Sequence, residues 1–98
     1  MGSTAIEHWI KTPTEGKIFE FEVPAADLGT GETISTADFT STPTSGGITW
    51  GSEAISGRFV QSKATGGTVD VEYHVTLTVT TSLGQTLEYC GNLSVLAC

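Results

Sequence analysis

Apolar and polar residues alternate most strictly between positions 69 and 79. Every odd position in this segment is apolar, and every even position is polar or charged. A period of two over this length is typical of an antiparallel strand with one buried and one solvated face. A turn at Ser82–Gln85 follows, and the alternation then resumes as far as Leu96. We therefore predict a β-hairpin over residues 69–96, in which Gly91-Asn92 marks a bulge.

Shorter alternating segments precede the hairpin and are separated by proline- and glycine-containing turns. The predicted strands cover residues 18–23, 32–40, 48–50 and 54–60. Turn residues recur about every 10–15 residues, a spacing typical of a β-sandwich of about seven strands. The expected core consists of Phe19, Phe21, Ile34, Val71, Tyr73, Val75, Leu77, Val79, Leu87, Leu93 and Val95.

The N-terminal residues lack this alternation. Ile6, Trp9 and Ile10 instead fall at the i, i+3, i+4 spacing of one helix face. We assign residues 1–16 to an N-terminal arm and residues 17–98 to the sandwich domain. The three apolar side chains either fold over the end of the sandwich or dock on a neighbouring subunit, which makes them candidate interface residues. If they dock on a neighbour, the sandwich should fold without the arm.

Composition supports an all-β domain and argues against several kinds of partner. The chain has 98 residues, 38% of them hydrophobic, and it is rich in Thr, Ser and Gly, which are poor helix formers. Its net charge of −7 disfavours nucleic acid and anionic membranes, because both require a basic surface. No apolar stretch reaches the ~20 residues of a membrane span, and no secretory signal pattern is present. We therefore expect a complete, acidic, single-domain protein made in a cytoplasm.

The residue types that catalysis and metal binding require are sparse. His8 lies in the arm, and His74 lies on the outward face of the long strand between Glu72 and Thr76. A metal site needs three or four converging ligands, so a solvated position is the more common role for such a histidine. No Gly-x-Ser-x-Gly, His-x-x-x-His or Cys-x-x-Cys motif occurs. We expect no enzyme activity, no metal and no cofactor.

Two cysteines and three carboxylates have a structural interpretation. Cys90 and Cys98 are separated by about 26 Å of extended strand, whereas a disulfide requires Cα atoms within about 7 Å. We expect both to be free thiols. Asp70, Glu72 and Glu88 are expected to share a face of the hairpin, without the clustering of a calcium loop. We interpret them as a solvated acidic face.

Several short motifs coincide with the predicted strands and turns. They are Leu28, Gly31-Glu32-Thr33-Ile34, Gly66-Gly67, Tyr73-x-Val75, Val79-Thr80-Thr81-Ser82-Leu83-Gly84 and Leu93-x-Val95. In this order they resemble the small virion proteins of tailed bacteriophages that form the fiber-tail adaptor family. The resemblance extends from about residue 17 to residue 96. It implies an immunoglobulin-like sandwich and no catalytic residue.

Residue pattern and resemblance together predict a single all-β, immunoglobulin-like antiparallel β-sandwich of about seven strands with an N-terminal arm. The expected function is that of a non-enzymatic structural protein of the phage virion, an adaptor that connects fibers or other appendages to the tail or neck. Its expected partners are other virion proteins in a symmetric oligomer, with no nucleic acid and no membrane. A capsid cement protein on the head is the alternative within this class. A carbohydrate-binding module is a further alternative, although few aromatic side chains are predicted on the surface.

Overall fold

The structure is a computed structural model that describes residues 8–97, in which eight strands form two packed sheets. The strands are β1 (Trp9–Lys11), β2 (Lys17–Glu22), β3 (Ile34–Thr42), β4 (Ile48–Trp50), β5 (Ala54–Ser56), β6 (Phe59–Gly66), β7 (Val71–Thr81) and β8 (Thr86–Val95). A short 3-10 helix, Ala25–Asp27, connects β2 to the loop before β3. The all-β prediction is confirmed. No helix within residues 8–97 is long and apolar enough to cross a membrane.

The two sheets have four strands each and differ in the regularity of their pairing. The first has the order β1-β8-β7-β3, and the second has the order β2-β6-β4, with β5 also paired to β6. The strands β1 and β8 are parallel, whereas the other pairs are antiparallel. The β7–β8 register is continuous, with Gly91 directly opposite Val75, so the prediction of a bulge at Gly91-Asn92 is wrong. A register shift occurs instead in β3, between Ile34 and Thr36.

The strand arrangement is that of an immunoglobulin-like sandwich. Strands β3, β7 and β8 correspond to strands C, F and G of that fold, and β2, β6 and β4 correspond to B, E and D. The Tyr73 hydroxyl, near the start of β7, accepts a hydrogen bond from the Thr68 N–H at 2.8 Å and donates one to the Gly46 carbonyl at 2.6 Å. A tyrosine that bonds back to the backbone before strand F is a feature of this fold. The predicted fold class is therefore confirmed.

One hydrophobic core lies between the sheets. Its buried members are Trp9, Phe19, Val23, Ile34, Phe39, Val60, Ala64, Tyr73, Val75, Leu77, Val79, Tyr89, Leu93 and Val95. Every predicted core residue is in this set except Phe21, Val71 and Leu87, which are partly buried against it. Val69, the first apolar residue of the alternating segment, is exposed because β7 begins only at Val71.

The N-terminal segment contains a strand where the spacing of its apolar residues indicates one face of a helix. β1 pairs in parallel with the last three residues of β8. Strand alternation buries Trp9 and Lys11 and leaves Ile10 exposed on the outer face. The sheet therefore begins at Trp9, inside the segment 1–16 that the sequence assigns to an arm. The third interface candidate, Ile6, lies outside the described residues.

Candidate interface surfaces

The Trp9 side chain lies in an aromatic cluster between the two sheets. Its indole stacks on Phe19, with ring centroids 4.5 Å apart and an interplanar angle of 13°. Phe39 and Trp50 lie 6.0 and 6.4 Å from the indole and stack on each other at 5.0 Å. The Trp9 side chain is 8% exposed, so its contacts within the described chain are those of a core residue. Ile10 is the described interface candidate that remains accessible.

The Lys11 side chain forms a hydrogen bond that links β1 to the end of β6. Its side chain is buried, and Nζ donates hydrogen bonds to the Gly66 carbonyl at 2.5 Å and to the Thr12 carbonyl at 2.7 Å. Burial lowers the pKa of Lys11 from its ordinary value, and the charges of Glu15 and Tyr73 oppose this shift. Because a lysine occupies the second inward position, residues 9–11 do not show the alternation of apolar and polar residues that indicates a strand in the sequence.

The side of the sandwich formed by β1 and β2 carries two exposed isoleucines. Ile10 is 47% exposed and Ile18 is 60% exposed. Lys17 connects the two strands, because its Nζ donates a hydrogen bond to the Ile10 carbonyl at 3.1 Å. We call this surface the β1–β2 side and regard it as the first candidate interface.

On the opposite side of the sandwich, side chains from the β4–β5 region form hydrogen bonds with the edge strand β3. A Glu53 carboxylate oxygen accepts a hydrogen bond from the Phe39 N–H at 3.0 Å, on the edge strand β3. The Trp50 indole N–H donates to the Ser41 hydroxyl at 3.2 Å. The first contact occupies a backbone N–H that would otherwise be offered to another strand, so this side is a poorer candidate for docking.

The β7–β8 turn is held by a carboxylate from a distant part of the chain. The Glu32 carboxylate accepts hydrogen bonds from the Gly29 N–H at 2.6 Å, from the Gln85 side-chain amide at 2.8 Å, and from the Thr81 hydroxyl. The bond from the Gly29 N–H is the largest cause that lowers the pKa of Glu32, followed by those from Thr81 and Gln85. Two motifs of the family resemblance thus meet in one network.

A second pair of hydrogen bonds fixes the same turn. The Ser82 N–H donates to the Thr33 carbonyl at 2.8 Å, and the Thr33 N–H donates to the Ser82 hydroxyl at 3.0 Å. Leu83 stands at the apex and is 70% exposed, and Gly84 supplies a positive φ of 85°. We call Ser82–Gln85 the β7–β8 tip. It presents an aliphatic side chain on a rigid support, which makes it the second candidate interface.

Sequence reasoning placed Leu83 only within a turn motif and assigned it no role. A large apolar residue inside a four-residue turn is the signal that could have identified it, because turns favour Gly, Pro, Asn, Asp and Ser. Glu32 was likewise one residue of a motif. Its burial depends on Thr81 and Gln85, which lie far from it in sequence.

Replacing Glu32 by glutamine is expected to lower the melting temperature at neutral pH. One carboxylate oxygen, which accepts hydrogen bonds, becomes an amide NH2 group that faces hydrogen-bond donors. A lowered folded-state pKa means that the stabilisation is complete above the ordinary value of 4.5 and is lost as pH falls through the folded-state pKa. The difference in melting temperature between parent and variant should therefore shrink as the pH falls below 4.5. Circular dichroism melts over this range measure it.

The matched control for this prediction is Glu20→Gln, since Glu20 is an exposed carboxylate on β2. Its melting temperature should follow that of the parent at every pH. A difference for Glu32→Gln that stays constant from neutral to acidic pH would show that the Glu32 carboxylate charge is not what stabilises the turn.

The remaining chemistry-bearing residues lie at several places on the hairpin. Glu72 and Glu88 are exposed on strands, whereas Asp70 lies in the turn before β7 with a φ of 68°, so the three do not share one face as expected. Cys90 is a free, exposed thiol, and Cys98 lies outside the described residues. Within residues 8–97, no group of three His, Cys, Asp or Glu side chains is placed to hold a metal ion.

The two histidines lie in different segments of the chain, His8 just before β1 and His74 within β7. His8 lies 3.7 Å from the Glu72 carboxylate through Nδ1 and 3.0 Å from the Ser94 hydroxyl through Nε2. His74 is exposed on β7, on the outward face where the sequence places it.

The fold and these surfaces define a small immunoglobulin-like structural domain with candidate protein contacts at its tip and along one side. The family model described as the podophage GP4 fiber-tail adaptor protein gp77 matches residues 11–94. Because the match covers most of the chain, the protein belongs to this family of phage structural adaptors, as the sequence motifs predict. No curated protein matches the chain. The family makes the protein a component of the virion.

Proposed function

We propose that this protein connects fibers or other appendages to the phage tail or neck through protein–protein contacts. The observation that carries the proposal is the family match over residues 11–94. An adaptor must contact two neighbours at once and hold them in a fixed geometry. The sandwich extends 44 Å along its longest axis, with the rigid β7–β8 tip at one end and the β1–β2 side along one edge.

The proposed partners are tail and fiber proteins of the same virion. The net charge of −7 favours basic partner surfaces, because opposite charges speed association and exclude wrong partners. Several copies would be arranged with the symmetry of the assembly. The protein would be made in the host cytoplasm, and no step of this role requires a catalytic residue or a cofactor.

The positions of the aromatic residues disfavour a carbohydrate-binding module. Sugar platforms present two or three exposed aromatic rings in one plane. Of the aromatic residues within positions 8–97, Phe59 alone is exposed. The capsid cement alternative differs from the proposal in location, so it becomes an outcome of the test below.

Replacing Leu83 by aspartate is expected to reduce incorporation into tails by at least about tenfold, because a charge would replace a central apolar contact. The melting temperature should stay close to that of the parent, since Leu83 is 70% exposed. Phage lacking the gene would be complemented with each variant. The amount of protein per particle would then be measured by mass spectrometry in separated heads and tails.

The matched control is Val69→Asp, which places the same charge on an exposed aliphatic residue in the turn before β7, at the opposite end of the molecule. It should be incorporated normally. Normal incorporation of Leu83→Asp would show that the tip is not a contact. Recovery of the parent protein in heads and not in tails would replace the adaptor function by the capsid cement alternative.

A further inference from the structure

Two β-turns meet at one end of the sandwich. In residues 29–33, which we call the 29–33 loop, the Glu32 N–H donates a hydrogen bond to the Gly29 carbonyl at 3.0 Å. At the β7–β8 tip, the Gly84 N–H donates to the Thr81 carbonyl at 3.0 Å. A hydrogen bond between residues three apart closes a β-turn, so each segment has a defined local shape.

Side chains join the two turns into one unit. The Glu32 carboxylate accepts hydrogen bonds from the Thr81 hydroxyl and, at 2.8 Å, from the Gln85 amide. Thr33 and Ser82 exchange two further bonds, at 2.8 and 3.0 Å. A segment that is already fixed before it binds loses less conformational freedom on binding. The joined turns are therefore suited to a protein contact.

The exposed residues of the two turns carry no charge. They are Gly29, Thr30, Gly31, Thr33, Ser82, Leu83, Gly84 and Gln85. Glu32 is the one charged residue in these segments, and it is 6% exposed, with its carboxylate held by donors of the protein itself. The acidic residues that give the chain its net charge of −7 thus leave this surface neutral. A neutral surface is desolvated at lower cost than one with unpaired charges.

We propose that the 29–33 loop and the β7–β8 tip form one docking platform for an uncharged surface of a tail or fiber protein, which receives Leu83 in an apolar pocket. Leu83 is 70% exposed at the centre of this platform, and apolar anchors that fill a pocket dominate many protein contacts. Glu32 is the positioning residue, because its carboxylate fixes one turn to the other. This inference rests on the proposed adaptor function and adds the chemistry of the partner.

Opposite charges placed at Thr30 test whether the partner surface is uncharged. Thr30 is exposed in the 29–33 loop, so Thr30→Asp and Thr30→Lys should melt like the parent. Each should lower incorporation into tails by at least about tenfold, because either charge would be buried without a partner. Thr30→Ser is the neutral control and should be incorporated normally. Mass spectrometry of separated tails measures the protein per particle.

The sign of the effect distinguishes one kind of partner from another. Loss of Thr30→Lys with normal incorporation of Thr30→Asp would indicate a basic partner surface, and the reverse result would indicate an acidic one. Either result would overturn the proposal. Normal incorporation of both variants would show that the 29–33 loop is not part of the contact.

Photo-crosslinking in assembled particles identifies what occupies the platform. Thr30 and Leu83 would be replaced by p-benzoylphenylalanine in separate variants, with Ser45, exposed in the loop between β3 and β4, as the control position. We expect Thr30 and Leu83 to crosslink to the same segment of one tail or fiber protein, and Ser45 not to crosslink to it. Crosslinks to residues 1–7 of this chain, to a second copy, to two different proteins or to nothing would contradict a shared platform.

Hydrogen exchange tests the positioning role of Glu32. Glu32→Gln and Gln85→Ala both weaken the link between the turns. The Ser82 amide should exchange at least about tenfold faster, relative to the Leu77 amide at the centre of β7, and incorporation into tails should fall. Unchanged relative exchange at Ser82, or faster exchange with normal incorporation, would show that Glu32 does not position the platform. If Glu32→Gln does not fold, Gln85→Ala decides, since Gln85 is exposed.

The two proposals fail in different ways. If the adaptor function is wrong, the parent protein is absent from tails. If the adaptor function is right and the platform is not a docking site, the parent is present in tails and both charged variants of Thr30 are incorporated equally with it.

Discussion

Replacement of Trp9 by alanine is expected to destabilise the sandwich by about 3–5 kcal/mol. The indole is 8% exposed and stacks on Phe19, so its removal leaves a cavity between the two sheets. A domain of this size has a total stability of about 5–15 kcal/mol, so much of the free energy of unfolding would be lost. Urea denaturation followed by tryptophan fluorescence measures the change, since Trp50 remains as a probe.

The control on the same strand is Ile10→Ala. Ile10 is 47% exposed, so its truncation should change stability by no more than about 0.5 kcal/mol. Deletion of residues 1–12 removes β1 altogether and should cost more than Trp9→Ala alone. If the truncated protein were as stable as the parent, Trp9 would not be needed for the core of the sandwich. The docking role that its spacing suggests would then be supported.

The hairpin could be predicted from the sequence because its signal is local and long. From position 71 to 79, each odd residue packs on or in the core, and each even residue lies on the outer face. The same alternation correctly places Leu87, Leu93 and Val95. It fails at Val69, because Asp70 adopts a left-handed conformation and the extended strand begins only after it, at Val71.

The first strand could not be predicted because it is short and its partner is remote. Three residues are too few to show a period of two, and Trp9 pairs with Leu93 near the other end of the chain. The inward position of Lys11 also breaks the apolar pattern. The structure explains this inward position, because the Lys11 ammonium group lies within hydrogen-bond distance of the Gly66 carbonyl.

The candidate surfaces were harder to predict than the fold. Exposure of Leu83 depends on a turn that is held from outside by Glu32, and this contact joins residues from two separate loops. Family motifs pointed to the strands and turns that build these surfaces, but not to which of their atoms remain accessible.

Replacement of Leu77 by alanine is the strictest test of the hairpin, and we expect it to cost about 2–5 kcal/mol. The side chain is fully buried at the centre of β7, with Phe39 opposite it on β3 and Tyr89 opposite it on β8. His74→Ala is the control, because His74 lies on the outward face of the same strand. Thermal and urea denaturation of both variants provide the comparison. A Leu77→Ala protein that melts within about two degrees of the parent, beside a strongly destabilised His74→Ala, would mean that the faces of β7 are reversed.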